Sequence, residues 1–197
     1  MRNILFSLLF VFLTTSFSVF GQNNELNFWN KNAEFGTSSL WYLYYGDKIF
    51  VDARYGYDDL KTGEFGLGKK FGSDTFAVVP KFCGYYGRTK GYGPELLAYS
   101  ETEHIQMFSQ TQYLHGTGNK SFFYNFTVVN VVVAKHVAIG AAGQVFKEIK
   151  GSPTTADIGP SLQITFGKVA LRVWPNWAVD KASRGRNSIW MGVGYAW

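Results

Sequence analysis

Residue types that could support catalysis are few in this sequence and lie far apart. Of the three histidines, only His115 is predicted to lie beside long loops, where Ser121 or the Asp58–Asp59 pair could complete the site of a surface lipid hydrolase. His104 and His136 fall in predicted tight turns. No two histidines have a metal-binding spacing, and no G-x-S-x-G or phosphate-binding loop is present. We therefore predict no catalytic, metal or cofactor site, with a hydrolase as a remote alternative.

A second group of chemically active residues lies on one face of alternating segments. We predict that these side chains line the interior of the fold: Asp52, Arg54, Glu64, Lys70, Lys81, Gln163 and Arg172. Charges removed from bulk water must find partners, so opposite charges in this set could pair and plug the interior. Alternatively, the cations could form a ladder that guides anionic solutes through an open pore. The sequence is compatible with both.

The elements that must position these residues are β-strands, because polar and apolar residues alternate with a period of two. Residues 157–166 read DIGPSLQITF, with apolar side chains on one face and small or polar ones on the other. The same two faces recur at 48–57 and 136–145. This pattern is typical of a transmembrane β-barrel whose apolar face meets lipid. A soluble lipocalin-like barrel is the alternative, but its outward face would carry many charges.

Turn-forming residues divide the chain into segments joined by connections that alternate between tight and long. The tight connections are at 46–47, 72–74, 102–103, 135–136 and 167–168, and the long ones at 30–36, 58–63, 87–94, 115–120, 147–155 and 176–187. These connections predict a barrel of twelve strands, with ten as the alternative. The first strand, Glu25–Trp29, is the least well defined. An even number of antiparallel strands closes the barrel with both termini on the side of the tight turns.

Both ends of the chain carry signals of export. Residues 1–21 combine a short positive start, an uncharged apolar run and small residues before Gln22, so we predict a cleaved signal peptide and a single domain over 22–197. The last segment, SIWMGVGYAW, alternates and ends on an aromatic residue. In its alternating last segment and aromatic final residue, the sequence resembles bacterial outer-membrane β-barrel proteins as a class. The resemblance implies an all-β antiparallel barrel in the cell outer membrane, with Tyr195 and Trp197 read by the assembly machinery.

The aromatic residues, 18 Phe, 12 Tyr and 6 Trp, need a place in such a barrel. Most, such as Tyr85 and Phe122, lie near predicted strand ends, and we predict that they form girdles at the level of the lipid head groups. The alternative is a track of rings that binds a sugar. Its members would be Phe50, Trp174 and Trp190, because parity sends these three side chains inward.

The predicted long loops are basic and include a cluster of Lys181, Arg184 and Arg186. Such loops would contact outer-membrane lipids and lipopolysaccharide, or steer anionic solutes towards a pore. The basic residues form no compact patch or basic helix, so we predict no nucleic-acid partner. Two functions stay open. One is a narrow channel for anionic or polar small solutes, and the other is a non-conducting barrel with a plugged lumen whose loops meet lipopolysaccharide, glycans or a protein partner.

Overall fold

Within the part of the chain that it describes, the computed structural model consists of β-strands and short connections. It describes residues 23–32, 37–45, 48–57, 62–73, 75–117, 121–150, 153–180 and 187–196. The predicted signal peptide, the loop cations Lys181, Arg184 and Arg186, and the terminal Trp197 lie outside the described residues. Within these ranges, no helix is long and apolar enough to cross a membrane.

The described residues form thirteen strands, most of them from segments rich in β-branched and aromatic residues, which favour extended backbone. They are β1 (Asn23–Asn32), β2 (Thr37–Tyr45), β3 (Ile49–Tyr57), β4 (Thr62–Lys69), β5 (Phe71–Gly72), β6 (Phe76–Gly87), β7 (Gly91–Glu101), β8 (Ile105–Gly116), β9 (Phe122–Ala134), β10 (Val137–Glu148), β11 (Thr155–Phe166), β12 (Val169–Ala178) and β13 (Ser188–Ala196).

The strands form one closed antiparallel sheet. β1 pairs with β2 on one side and with β13 on the other, which joins the first and last strands of the chain. β5 contains only Phe71 and Gly72 and continues β4 along the same neighbour, β6. The barrel therefore has twelve long strands, as the rhythm of the connections predicts. Its first strand is real and extends beyond Glu25–Trp29 at both ends.

Side chains alternate between a buried and an exposed face along these strands. On β6, Ala77, Val79 and Lys81 are buried, whereas Phe76 and Phe82 are at least half exposed. Large apolar side chains cover the outward face of most strands in the same way. Such a surface suits hydrocarbon and differs from the charged exterior of a soluble barrel.

The two ends of the barrel differ in their connections. On one end, which we call the turn side, residues 102–104, 135–136 and 167–168 join neighbouring strands. The other end, the loop side, has its longest connections at 149–154 and 179–187.

One of the predicted long loops is wrong. Only residues 88–90 join β6 to β7, and the segment Gly91–Pro94 pairs with β6. Glycine and proline usually mark a turn, but Gly93 fits closely against the backbone of Tyr113, and Pro94 lies at a gap in the pairing with β8. The strand therefore continues through both residues.

Candidate functional site in the barrel interior

Five charged residues meet on the inner wall of β3, β4, β6 and β7, and we call them the ion-pair cluster: Asp52, Arg54, Glu64, Lys81 and Glu95. Arg54 Nη2 lies 2.9 Å from Glu95 Oε1 and 3.1 Å from Asp52 Oδ2. Lys81 Nζ lies 2.9 Å from the same Glu95 oxygen and donates a hydrogen bond to Asp52. The Glu64 carboxylate lies 3.8 Å from Arg54 Nη1 and 3.5 Å from Lys81 Nζ. The whole cluster is buried.

Strand register brings these side chains together. Arg54 of β3 is paired with Glu64 of β4, and Lys81 of β6 is paired with Glu95 of β7. Each cation therefore has a carboxylate on the adjacent strand. The contact between Arg54 and Glu95 joins strands that are not neighbours, so it depends on the curvature of the wall. With two cations and three carboxylates, the cluster has a formal charge of −1.

Apolar layers seal the ion-pair cluster on both sides. Phe50, Val79 and Leu97 pack together on the turn side, each two residues along its strand from a member of the cluster. The loop-side layer consists of Cys83, Tyr85, Leu114 and Phe122. Because these layers exclude water, the charges depend on one another for stabilisation.

Gln112 of β8 ties the ion-pair cluster to the loop-side layer. Its Nε2 donates a hydrogen bond of 2.7 Å to Glu95 Oε2 and also hydrogen-bonds with the Tyr85 hydroxyl. The Cys83 thiol lies 3.5 Å from the same Glu95 oxygen. Polar contacts therefore extend from the ion-pair cluster to β8, the fifth strand of this wall.

Three residues of this region could in principle hold a metal ion. Asp52, Glu64 and Cys83 each place one ligand atom within 4.8 Å of the others. However, Lys81 contacts both carboxylates, and a divalent cation would have to share them with this ammonium group. Repulsion between the two positive charges argues against a metal, so we assign the carboxylates to the ion pairs.

A chain of five aromatic rings crosses the interior, and we call it the aromatic bridge: Trp29, Trp174, Phe126, Phe108 and Trp41. Trp29 of β1 stacks on Trp174 of β12 with centroids 4.4 Å apart, and Trp174 lies 4.7 Å from Phe126 of β9. Phe126 lies 6.2 Å from Phe108 of β8, which lies 5.8 Å from Trp41 of β2. Since β2 and β8 are separated in the sheet by β3, β4, β6 and β7, the last contact spans the lumen.

The aromatic bridge ends on the ion-pair cluster. The Arg54 guanidinium lies 3.9 Å from the ring centroid of Trp41, its partner in the register of β2 and β3. At the other end of the bridge, Gly192 makes room for Trp29, because a side chain at this position would collide with the ring. The bridge and the cluster thus form one continuous layer across the barrel.

Several aromatic residues predicted for the lipid girdles belong to the interior. Tyr85 and Phe122 are each less than 10% exposed and pack within the barrel. Trp174, which the alternative track of rings places inward, is also buried. A position near a strand end does not decide which face a ring occupies, and here parity sends these rings inward. Trp177 and Tyr195, at 50% and 46% exposed, do lie on the outward face. The role of Tyr195 in assembly stays a prediction.

A second polar group lies on the turn side of Trp174, and we call it the Arg172 group: Arg172, Glu25, Asn27 and Gln163. Arg172 donates hydrogen bonds to Asn27 Oδ1 at 2.6 Å, Gln163 Oε1 at 3.0 Å and Glu25 Oε1 at 3.1 Å. Gly194 leaves the space that the guanidinium occupies. Unlike the ion-pair cluster, this group keeps contact with solvent, since the Arg172 and Glu25 side chains are 20% and 21% exposed.

The predicted ladder of cations is distributed over separate sites. Arg54 and Lys81 are locked in the ion-pair cluster, and Arg172 is held by its own group. Lys70 lies between β4 and β5 near the turn side, where its backbone N–H donates to the Lys48 carbonyl at 3.2 Å. Arg54, Lys81 and Arg172 each have a carboxylate partner.

Glu95 is the member of the ion-pair cluster that the sequence pattern misses. Gly93 and Pro94 predict a loop immediately before it, which leaves its face undefined. Glu95, Leu97 and Tyr99 are spaced two residues apart and so share one face of the strand. This spacing is the signal that could have assigned Glu95 to the inner wall.

Comparison with known proteins finds solved structures that have the same barrel fold. No family model and no curated protein sequence matches the chain. Among solved structures, the KdgM porin has a TM-score of 0.64 at 11% identity, over 87% of this chain and 98% of its own. The NanC porin has a TM-score of 0.62 at 8% identity, with the same coverage. The chain has the fold of these porins. A KdgM porin in complex with disordered oligogalacturonate is also similar, with a TM-score of 0.62 at 10% identity. The resemblance to outer-membrane barrels is thus confirmed at the level of the fold.

Proposed function

We propose that this protein is a narrow outer-membrane channel for small polar or anionic solutes, closed at mid-height by the aromatic bridge. The porin fold and the apolar outward face support its place in a membrane. The observation that carries the channel is the distribution of partly exposed polar side chains inside the barrel. They lie on both sides of the bridge, as two vestibules would require.

The loop-side vestibule contains Gln144 and Asp157, which are paired in the register of β10 and β11 and are partly exposed. On β10, Ala142 packs under the bridge, and Gln144 follows it towards the loop side. On β12, Arg172 precedes Trp174 towards the turn side, where Gln163 joins it. Polar groups that keep contact with solvent on either side of a dry layer are expected of a channel with a hydrophobic constriction.

The solute contacts that we propose are those of the Arg172 group. A guanidinium beside amide oxygens and the Trp29 ring can bind anionic or polar groups. Arg54 and Lys81 cannot serve in this way because they are buried in the ion-pair cluster, whereas Arg172, although paired with Glu25, keeps contact with solvent. Solute selection is therefore expected on the turn side of the bridge, and the loop cations, which lie outside the described residues, would act only in attracting solutes.

The second candidate is a non-conducting barrel with a plugged lumen. It is favoured by the burial of the ion-pair cluster, in which Asp52 is 0% and Glu64 1% exposed. A hydrated pore would leave the charges on its wall accessible to water. The two candidates differ in whether the aromatic bridge can open. The ion-pair cluster fills the interior beside β3, β4, β6 and β7 in both of them.

Removing the charge of Arg172 is expected to shift ion selectivity towards cations. The measurement is the reversal potential of the refolded protein in planar bilayers under a salt gradient. It uses Arg172→Gln in a Trp174→Ala background, where the ring that closes the lumen is absent. Lys168→Gln, at the exposed turn between β11 and β12, is the matched control and should leave the potential unchanged. An identical reversal potential for both variants would remove Arg172 from the solute path.

A further inference from the structure

Four polar side chains interrupt the apolar outward face at mid-height: Ser109 and Thr111 on β8, and Asn125 and Thr127 on β9. Parity places them outward, because their neighbours Gln110 and Gln112 point into the barrel and are buried. We call these four residues the outer polar patch.

Apolar residues flank the outer polar patch towards both ends of the barrel. Tyr113 lies on its loop side, and Val129 and Val131 lie on its turn side, all exposed on the same face. Tyrosine hydroxyls also occur on the outward face, as at Tyr55 and Tyr92. Elsewhere, among the side chains that the structure describes, charged groups, Ser and Thr hydroxyls, amides and imidazole reach this face only near strand ends. These are Asn30, Lys69, Ser100, His115 and Lys147.

Hydrogen bonds connect the patch into one network. Ser109 and Thr127 share a hydrogen bond of 2.9 Å, and the Thr127 hydroxyl lies 3.4 Å from Asn125 Oδ1. Asn125 Nδ2 donates to the Thr111 hydroxyl at 2.8 Å. No described residue accepts the hydrogen of Thr111, and the other oxygens keep unused lone pairs. The patch thus offers both a donor and acceptors to a partner.

Small residues border the patch on the adjacent strands. Ala98 of β7 is paired with Ser109, and Gly143 of β10 is paired with Thr127. The outward face is therefore low beside Ser109 and Thr127, so a second backbone can approach there, whereas Leu96, which is 46% exposed, borders Thr111. Small residues combined with hydrogen-bonding side chains are typical of the contacts between transmembrane helices, and the same physical reasons apply to two barrel walls.

We propose that the outer polar patch is the contact between two copies of this chain. Hydrocarbon can neither donate nor accept a hydrogen bond, whereas a second patch can do both. All copies in one membrane have the same orientation. A two-fold axis along the membrane normal preserves this orientation and places β8 and β9 of one copy against the same strands of the other copy. Such an interface is self-complementary, as the mixture of donors and acceptors requires. This inference rests on the proposed membrane insertion but not on conduction.

The test is cysteine cross-linking in membranes of cells that express the exported protein. Thr111→Cys and Thr127→Cys are each made with Cys83→Ser, which removes the buried native thiol. Leu171→Cys in the same background is the matched control, because Leu171 is exposed on the outward face of β12. Oxidation with copper phenanthroline should give a product of twice the chain mass from the patch cysteines and not from Leu171→Cys.

A second variant removes the polar groups without introducing a thiol. Thr111→Val with Asn125→Leu should shift the protein in mild detergent from dimer to monomer mass, while the heat-modifiable barrel persists on gels. A folded monomer in both the unmodified protein and this variant would overturn the proposal. Cross-linking only to a different protein, or equally at Leu171, would overturn it as well. Absence of the barrel from the membrane fraction would instead contradict membrane insertion itself.

Discussion

Arg54→Met is expected to lower the free energy of unfolding by about 3–5 kcal/mol, because it leaves the three buried carboxylates of the ion-pair cluster with Lys81 alone to balance them. Arg54 contacts Asp52, Glu64 and Glu95, and its loss changes the formal charge of the ion-pair cluster from −1 to −2. Sealing layers keep water from replacing the guanidinium. Urea unfolding in phospholipid vesicles, followed by tryptophan fluorescence, measures the difference.

Two further variants test whether the charge balance is the cause. Arg54→Met with Glu64→Gln restores the charge to −1 and should recover part of the loss. Arg88→Met, at the exposed connection between β6 and β7, is the matched control and should cost less than about 1 kcal/mol. If Arg54→Met cost no more than this control, the ion-pair cluster would not stabilise the barrel.

Trp174→Ala is expected to convert a nearly closed barrel into a steadily conducting one. Trp174 is the ring that joins Trp29 to Phe126, so its removal breaks the aromatic bridge between β12 and β9. The gap opens between the partly exposed polar groups of the two vestibules. Water can then enter a layer that was dry, which removes the hydrophobic barrier to ions. Single-channel recordings in planar bilayers should show resolved steps for the variant and only rare openings for the unmodified protein.

The loss of a large buried ring can also destabilise a protein, by about 3–5 kcal/mol for Trp to Ala. Trp174→Leu therefore serves as a milder second variant that keeps an apolar side chain. Trp177→Ala removes a ring of the same type from the outward face, where Trp177 is 50% exposed, and should leave conductance unchanged. Silent barrels for both Trp174 variants, with the heat-modifiable fold intact, would favour the plugged barrel.

The architecture could be predicted because it depends on local patterns. Alternation defines the faces of each strand, so the inward positions of Asp52, Arg54 and Lys81 follow from their neighbours along the chain. The rhythm of turns and loops gives the number of strands. Even the weakly marked first strand follows, since an even number is needed to close the barrel.

The contacts within the interior could not be predicted, because they join residues across the lumen. The pairing of Arg54 with Glu95 links β3 to β7, and that of Trp41 with Phe108 links β2 to β8. Their formation depends on the curvature of the wall and on the reach of each side chain. Parity places Trp174 on the inward face, but its contacts with Trp29 and Phe126 of other strands could not be predicted from the sequence.

Thiol labelling from each side of the membrane tests the central claim most directly. Gln144→Cys and Gln163→Cys, each with Cys83→Ser, place one thiol in each vestibule of oriented vesicles. A small membrane-impermeant thiol reagent should label residue 144 only from the loop side and residue 163 only from the turn side. With Trp174→Ala added, each should react from both sides. Labelling of both positions from both sides while Trp174 is present, or of neither position in any background, would contradict a lumen closed by the aromatic bridge.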